Sequence, residues 1–396
     1  MNPSDKSPNK VKPRVCGLGL ASVFGLGKEA HLKGIRGGQS LLAPLEKLWG
    51  ADRPWGSVKS GWIKERHLLN SRRNAPATQL AILLAKEAVA QAGWSDEELS
   101  EAALIVGSSR GNASGWLSSW EGRRPVKLLS VPNSLHSELA SGVTIALGIH
   151  GPYHVLADGC AAGLDAVGMA AMLMECGVVK RALAIGLDLP LCCQLLDTYW
   201  QSKMLSQSGG NDPYSLNADG MNISEGGAAI ALEMSDASGV HVQSYRVNSD
   251  AHGPLGMPED GKQLANLLGP AVEEAQQYAS GPVIWCPHAS GTANNAKAET
   301  AALKAVFHKY PLPDLRMMKP WVGHTIGGSG ILELACILSF VEESRLPANP
   351  SWVSAPLPEM TLQGETVISG KSYLIKTASS MGGHNVVLGL SIDTDQ

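Results

Sequence analysis

A chain of 396 residues with 44% hydrophobic and 17% charged residues is long enough to bury a large core, and its composition excludes wholesale disorder. A net charge of −4 and a pI near 6.3 give no electrostatic footprint for nucleic acid. No apolar run approaches the roughly 20 residues that cross a bilayer, so no membrane partner is expected.

In chain order, residues 1–14 read as a polar tail. The stretch "KVKPRVCGLGLASVFGLG" (10–27) sets basic residues before an apolar run, as a secretory signal does. Four glycines break that run and no A-x-A site follows, so the reading is a first strand and a glycine-rich turn. Short runs rich in Val, Ile and Leu read as strands at 14–20, 102–109, 153–159 and 181–187. Residues 77–93 and 164–177 carry apolar residues at helical spacing and end on Gly93 and Gly177. Around 235 the chain turns polar ("EMSDASGV"), and the alternation restarts. Strand-like runs follow at 240–247 and 282–287, helix-like ones at 296–307 and 330–343, and two strands about a glycine turn at 372–392. Alternating βαβ units in two halves, 15–235 and 236–396, argue for an α/β protein with two buried sheets and helices on their faces. The halves share a pattern of elements, not a visible sequence repeat.

The seven cysteines are odd in number and lack metal-ligand spacing, so no metal site is expected and a reducing cytoplasm fits best. Cys160, in "VLADGCAAGLDAVGMAAMLMECG", stands where a strand-like run meets a helix-like one. A helix starting there turns its free N–H groups toward the sulfur and favours thiolate, which Asp158 opposes. Position alone leaves open a nucleophile or a small buried core residue. His288 ("WCPHASGT") and His324 ("KPWVGHTIGGSGILELA") each follow a strand-like run beside a glycine turn, where active-site loops of α/β folds gather. Lys319 and Glu333 are placed either to pair beneath His324 and orient it or to form an ordinary ion pair without functional weight. Gly107-Ser108-Ser109-Arg110-Gly111 has the G-x-S-x-G form of a hydrolase elbow with Ser109 as nucleophile. Poor helix material follows it, which weighs against a serine hydrolase.

Five segments in order carry a resemblance: "GLGLASVFG", "GIHGPYHVLADGCAAGLDAVGMA", "DPYSLNADGMNISEGGAAIALE", "HASGT" and "KPWVGHT". The chain resembles a β-ketoacyl-acyl-carrier-protein synthase, a condensing enzyme of the thiolase superfamily, as an outlying member. The resemblance implies a thiolase-like fold of two similar halves in α-β-α-β-α layers. It implies acyl transfer to Cys160, then decarboxylative Claisen condensation with a malonyl thioester, in fatty acid, polyketide or specialised lipid elongation. His288 and His324 would stabilise the enolate, supported by Lys319 with Glu333, and Glu225 fills the acidic position. Ser290 and Thr292 match residues that contact the phosphopantetheine arm. The backbone N–H groups of Cys160 and Ser379 would form the oxyanion hole, with Tyr199, Trp200 and Met381 lining the acyl pocket.

No resident cofactor is implied, because phosphopantetheine arrives on an acyl carrier protein. That acidic carrier gives Arg72-Arg73 and Arg123-Arg124 a docking role. A homodimer is implied, with "YHVLA" at its interface, or a heterodimer with a related subunit. The alternatives are an acyltransferase or a partner-dependent ketosynthase-like subunit without independent condensation. Three departures stand out: Asp158-Gly159 where the family has Thr-Ala, Asn295-Ala296 where it has Gly-Asp, and "ASSMGGHN" where it has Gly-Phe-Gly-Gly-Thr-Asn. Loss of the aromatic gate implies a wider or differently shaped acyl channel.

Overall fold

A computed structural model describes residues 11–113, 117 and 135–393. The pair Arg123-Arg124 lies outside them. Ten strands carry the architecture: β1 (Lys12–Ser22), β2 (Ala103–Gly107), β3 (Tyr153–Leu156), β4 (Arg181–Asp188), β5 (Gly226–Ser235), β6 (Gly239–Ser249), β7 (Val283–Cys286), β8 (Asp314–Leu315), β9 (Ser372–Ser379) and β10 (His384–Asp393). The first sheet runs β3-β2-β4-β5-β1 and the second β8-β7-β9-β10-β6. From the outer edge inward, each sheet has two parallel pairings and then two antiparallel ones. The second half thus repeats the first. A single antiparallel pair, Arg14 with His241, joins the two sheets edge to edge. β1 begins inside the segment expected as a tail, because Arg14 pairs in register with Glu233 and makes an ion pair with it at 2.5 Å.

Seven of the helices build the layers and the site: α1 (Pro76–Ala92), α2 (Glu138–Leu147), α3 (Ala162–Glu175), α4 (Cys193–Gln201), α5 (Lys262–Tyr278), α6 (Ala293–Phe307) and α7 (Ser329–Val341). Alternation along each strand sorts them into layers, since successive side chains point to opposite faces. On β2, Ala103 and Ile105 face α3 and α7, whereas Leu104 and Val106 face α1 and α2. On the second sheet Leu374 and Leu388 face the same central helices, and Tyr373, Ile375 and Val387 face α5 and α6. The order is therefore α-β-α-β-α. Helix α7, buried along its whole length, is apolar all round because a sheet covers each side of it.

Local sequence explains how the layers close. Gly17 and Gly19 of "GLGL" let α1 lie on β1; a Cβ there would come within 2.0 Å of Ala88 O and 2.2 Å of Leu84 O. Helix α1 starts with Pro76 in its first turn and stops on Gly93 in the left-handed region (φ 67°). Helix α5 is absent from the sequence expectations: Gly269-Pro270 reads as a break, yet the helix continues through it on an apolar face of Leu264, Leu268, Ala271 and Ala275. No helix among the described residues is long and apolar enough to cross a membrane.

Candidate functional site

The cysteine is set at a sharp turn. After β3 the chain bends at Gly159 (φ 68°) into one 3₁₀ turn, Gly159–Ala161, which feeds α3. Only glycine suits this point: besides the left-handed φ, a Cβ would sit 3.1 Å from Ser380 Cβ on the opposing turn. Cys160 is 4% exposed. Burial pushes its thiol up to about 11, while Lys319, Arg110 and the Met381 backbone N–H pull it the other way. The resting sulfur is protonated at neutral pH.

Two imidazoles share its cavity, which Cys160, His288, His324, Ser290, Thr292, Ser379 and Met381 help to line. The rings stand edge to face with centroids 5.4 Å apart. His324 Nδ1 accepts the Ile326 N–H at 3.0 Å, and Ser329 Oγ lies 3.1 Å from the same nitrogen. Ile326 holds φ at 50°, a strained value for a β-branched residue, so the surrounding fold fixes that N–H in place. His288 is oriented from its backbone, where Glu299 accepts the N–H groups of His288 (2.6 Å) and Ala289 (2.9 Å). Its Nδ1 faces Lys319 Nζ at 3.5 Å. Burial, reinforced by Lys319, holds both rings well below the usual histidine range. Each is a neutral imidazole whose Nδ1 faces a donor, so each carries its hydrogen on Nε2.

Lys319 and Glu333 pair as expected, at 2.5 Å, but under His288 rather than His324. Sequence reading missed the third member. Lys376 Nζ also donates to Glu333, at 2.9 Å, and to Pro287 O at 3.0 Å. A lysine inside the otherwise buried strand "SYLIKTAS" was the available signal. Asp188 was missed too. Its carboxylate accepts the Ser108 hydroxyl and the N–H groups of Ser109, Arg110 and Gly327, tying both loops behind the cysteine. This removes the hydrolase reading: among the described residues Ser109 has no histidine partner, and the nearby carboxylate serves the backbone.

The remaining expected residues divide. Ser290 and Thr292 hydroxyls lie 3.0 Å apart on the cavity wall, and Asn295 Oδ1 caps their loop by accepting the Ser290 N–H. Tyr199 packs in the apolar cluster that contains Cys160, with Trp200 at its margin, and its hydroxyl accepts from Arg110 Nε at 2.8 Å. Glu225 does not reach the cavity; it is buried against Arg66 at 2.5 Å. The amide that reaches the Cys160 sulfur belongs to Met381, not Ser379, whose hydroxyl donates to Asn385 Oδ1 at 2.7 Å. Met204, Met221, Met257 and Met381 line the cavity beside Cys160. Arg72 and Arg73 are exposed.

Comparison with known proteins gives two family matches. Residues 15–237 match the model for the beta-ketoacyl synthase N-terminal domain, and residues 240–352 that for the beta-ketoacyl synthase C-terminal domain. The chain is 29% identical to the tetracenomycin polyketide synthase ketoacyl synthase alpha subunit of Streptomyces glaucescens over 59% of its own length. That match spans 56% of the relative, just over half of it. It is 25% identical to nodulation protein E of Rhizobium leguminosarum bv. trifolii over 95% of this chain and 98% of that one. In fold it is similar to a type II polyketide ketosynthase solved in complex with its acyl-carrier protein. There the TM-score is 0.79 at 21% identity, covering 96% of this chain and 99% of the other.

Proposed function

The chain belongs to the β-ketoacyl synthase family of condensing enzymes, and from that premise we propose that Cys160 is its acyl-accepting nucleophile and His288 and His324 its decarboxylation pair. One observation carries the reading: a thiol and two Nε2–H donors share a single buried cavity, with the opposite ring nitrogens occupied. In loading, the Cys160 sulfur attacks a carrier-bound thioester. The Cys160 proton ends on the departing pantetheine sulfur, and the N–H groups of Cys160 and Met381 hold the transient oxyanion. In condensation, the two Nε2–H groups donate to the carbonyl oxygen of a malonyl thioester. Charge builds on that oxygen as carbon dioxide leaves, and the carbanion attacks acyl-Cys160, expelling the thiolate and lengthening the chain by two carbons. The histidines act as fixed electrostatic donors, which suits neutral rings in a dry site.

The phosphopantetheine arm enters past Ser290 and Thr292 on an acyl carrier protein, so no resident cofactor is required. Arg72 and Arg73 offer that acidic carrier a docking pair. The edge strand β3 is solvent-facing and pairs on one side only, which fits a homodimer joined through it. The "alpha subunit" in the tetracenomycin relative's name favours, as second reading, a heterodimer through the same edge. Free cysteines throughout fit a cytoplasmic site of action.

The test is intact-protein mass of wild type and Cys160→Ala after a panel of acyl thioesters and then malonyl-carrier. Loading only in wild type, followed by malonyl-dependent discharge, is the expected result. Loading without discharge would leave an acyltransferase or partner-dependent subunit, and no loading by any donor would overturn the assignment.

A further inference from the structure

The turn that carries Met381 is fastened to the nucleophile turn by side chains that touch neither the sulfur nor the two histidines. His384, at the start of β10, places Nε2 2.6 Å from Asp165 Oδ2 and 3.6 Å from Asp158 Oδ2. Asp158 lies two residues before Cys160, and Asp165 lies in the first turn of α3. Asp165 Oδ1 accepts the Tyr245 hydroxyl at 2.7 Å, which fixes that carboxylate. Asp158 Oδ1 is buried without a partner. The same His384 closes the turn above, because its carbonyl accepts the Ser380 N–H at 2.9 Å while Gly383 N donates to Ser380 O at 3.0 Å.

We propose that His384 is a positioning residue: by binding Asp165 and Asp158 across the gap it clamps the 380–384 turn onto the nucleophile turn, aims the Met381 N–H at Cys160, and releases as the cluster loses protons. The catalytic consequence rests on the condensing reading; the clamp itself does not. The groups that face His384 are Asp158 and Asp165 from the nucleophile segment and Tyr245 behind them. On its other flank Asp250 packs against Gly383 and accepts from Asn385 Nδ2 at 2.7 Å, with His252 near it. The hydrogen bond to Asp165, with the charges of both aspartates, holds His384 above the usual histidine range. Burial, with the hydrogen bond and charge of Asp165, pushes Asp158 up to about 7. Each group binds its proton more tightly folded than unfolded. The stabilisation each lends is therefore complete below its ordinary value and lost as pH rises through the folded one. Both have the same sign, and the clamp is firmest on the acid side of neutrality.

Full-length wild type, His384→Ala and His384→Gln are compared by amide hydrogen exchange of the peptide spanning 380–384 between pH 6 and 9, corrected for intrinsic rates. In wild type, protection at pH 6 is expected to exceed that of His384→Ala by about tenfold, the scale of one hydrogen bond to a charged group, and to fall toward it by pH 9. Gln donates to Asp165 at every pH, so His384→Gln should stay protected without pH dependence. Loading of Cys160 by acetyl-coenzyme A is followed in parallel. His384→Ala should lose rate at saturating donor, with half-saturation within about twofold. Equal protection in wild type and His384→Ala, or a difference that does not change with pH, overturns the clamp. Failure of wild type to load from any thioester sinks the condensing reading and leaves the exchange result standing.

Discussion

Glu333→Gln keeps the shape of the side chain and removes its charge, leaving Lys319 and Lys376 buried together without a counter-ion. The two ammonium groups sit 2.5 and 2.9 Å from the carboxylate, and all three side chains are at most 4% exposed. Removing one partner of a buried ion pair costs about 3–5 kcal/mol. A second route gives a similar figure. A lysine that escapes by releasing its proton must move from about 10.4 to below 7, roughly 5 kcal/mol at pH 7 and roughly 2 at pH 9. The sign follows from proton counting. Burial already draws Lys319 below its ordinary value against the pull of Glu333, so at this group the folded state binds fewer protons than the unfolded one and its contribution to stability rises with pH, while Lys376, held above its ordinary value, stays charged across pH 7–9. Without Glu333 that slope steepens. Urea denaturation of both proteins at pH 7 and pH 9 is the assay, with an expected loss of about 4 kcal/mol at pH 7 shrinking to about 2 at pH 9. A loss under about 1 kcal/mol at pH 7, or one that does not shrink with pH, would refute the buried-charge account.

Four further outcomes are expected. His324→Ala should slow malonyl-dependent discharge by about 10²–10³-fold, the cost of one oxyanion donor, and leave loading of Cys160 within a few-fold; equal losses in both half-reactions would contradict the division of roles. Iodoacetamide alkylation of Cys160 should climb about tenfold per pH unit from 6 to 9, because burial holds the thiol near 11; a plateau below pH 8 would show an activated thiolate instead. A Cβ at Gly163 would stand 2.6 Å from Gly327 O and 2.8 Å from Ile331 Cγ2, so Gly163→Ala should cost about 1–3 kcal/mol in the urea midpoint. On β3, the Pro152 and Leu156 carbonyls accept from Leu104 and Ser108, which turns the Val155 N–H outward. Val155→Pro should therefore convert a dimer to monomer in light scattering, and an unchanged mass would remove β3 from the interface.

The strands and helices that sequence located are those whose apolar residues recur at a regular period. Residues 77–93 and 181–187 were legible because packing and local preference agree there. Helix α5 was not, since Pro270 breaks the local pattern while an apolar face bound to the second sheet holds the helix together. At the site, Cys160, His288, His324 and Lys319 were legible as residue types in glycine-rich loops. What escaped was direction. Whether Lys319 lies under His288 or His324 depends on Pro320 and Gly323 turning the chain between them, and nothing in "KPWVGHT" states it. The Met381 amide was misplaced by two residues because a backbone N–H leaves no mark in composition. Its aim is set by Gly382 and Gly383, both at positive φ.

The repeated architecture explains why unlike residues meet at this point. In strand order β3 corresponds to β8, and each is followed by a central helix, α3 or α7. Cys160 lies in the approach to α3, and His324 in the approach to α7. Gly163 and Gly186 allow the two helix starts to come together, since a Cβ on Gly186 would lie 2.6 Å from Gly163 Cα and 2.4 Å from Ile331 Cγ2. The next pair inward behaves alike: β2 leads into the loop of Arg110, and β7 into the loop of His288. One backbone plan used twice thus delivers four loops to one place, and the chemistry comes from how the halves differ. The first half contributes an apolar wall and a thiol. The second contributes two histidines over a buried Lys-Glu-Lys cluster. Duplicated loops of identical chemistry would give two thiols or two pairs of imidazoles and no site. It is the divergence of sequence on a shared backbone that places a thiol and two imidazoles in one cavity, and this is why the repeat shows in the elements and not in the residues.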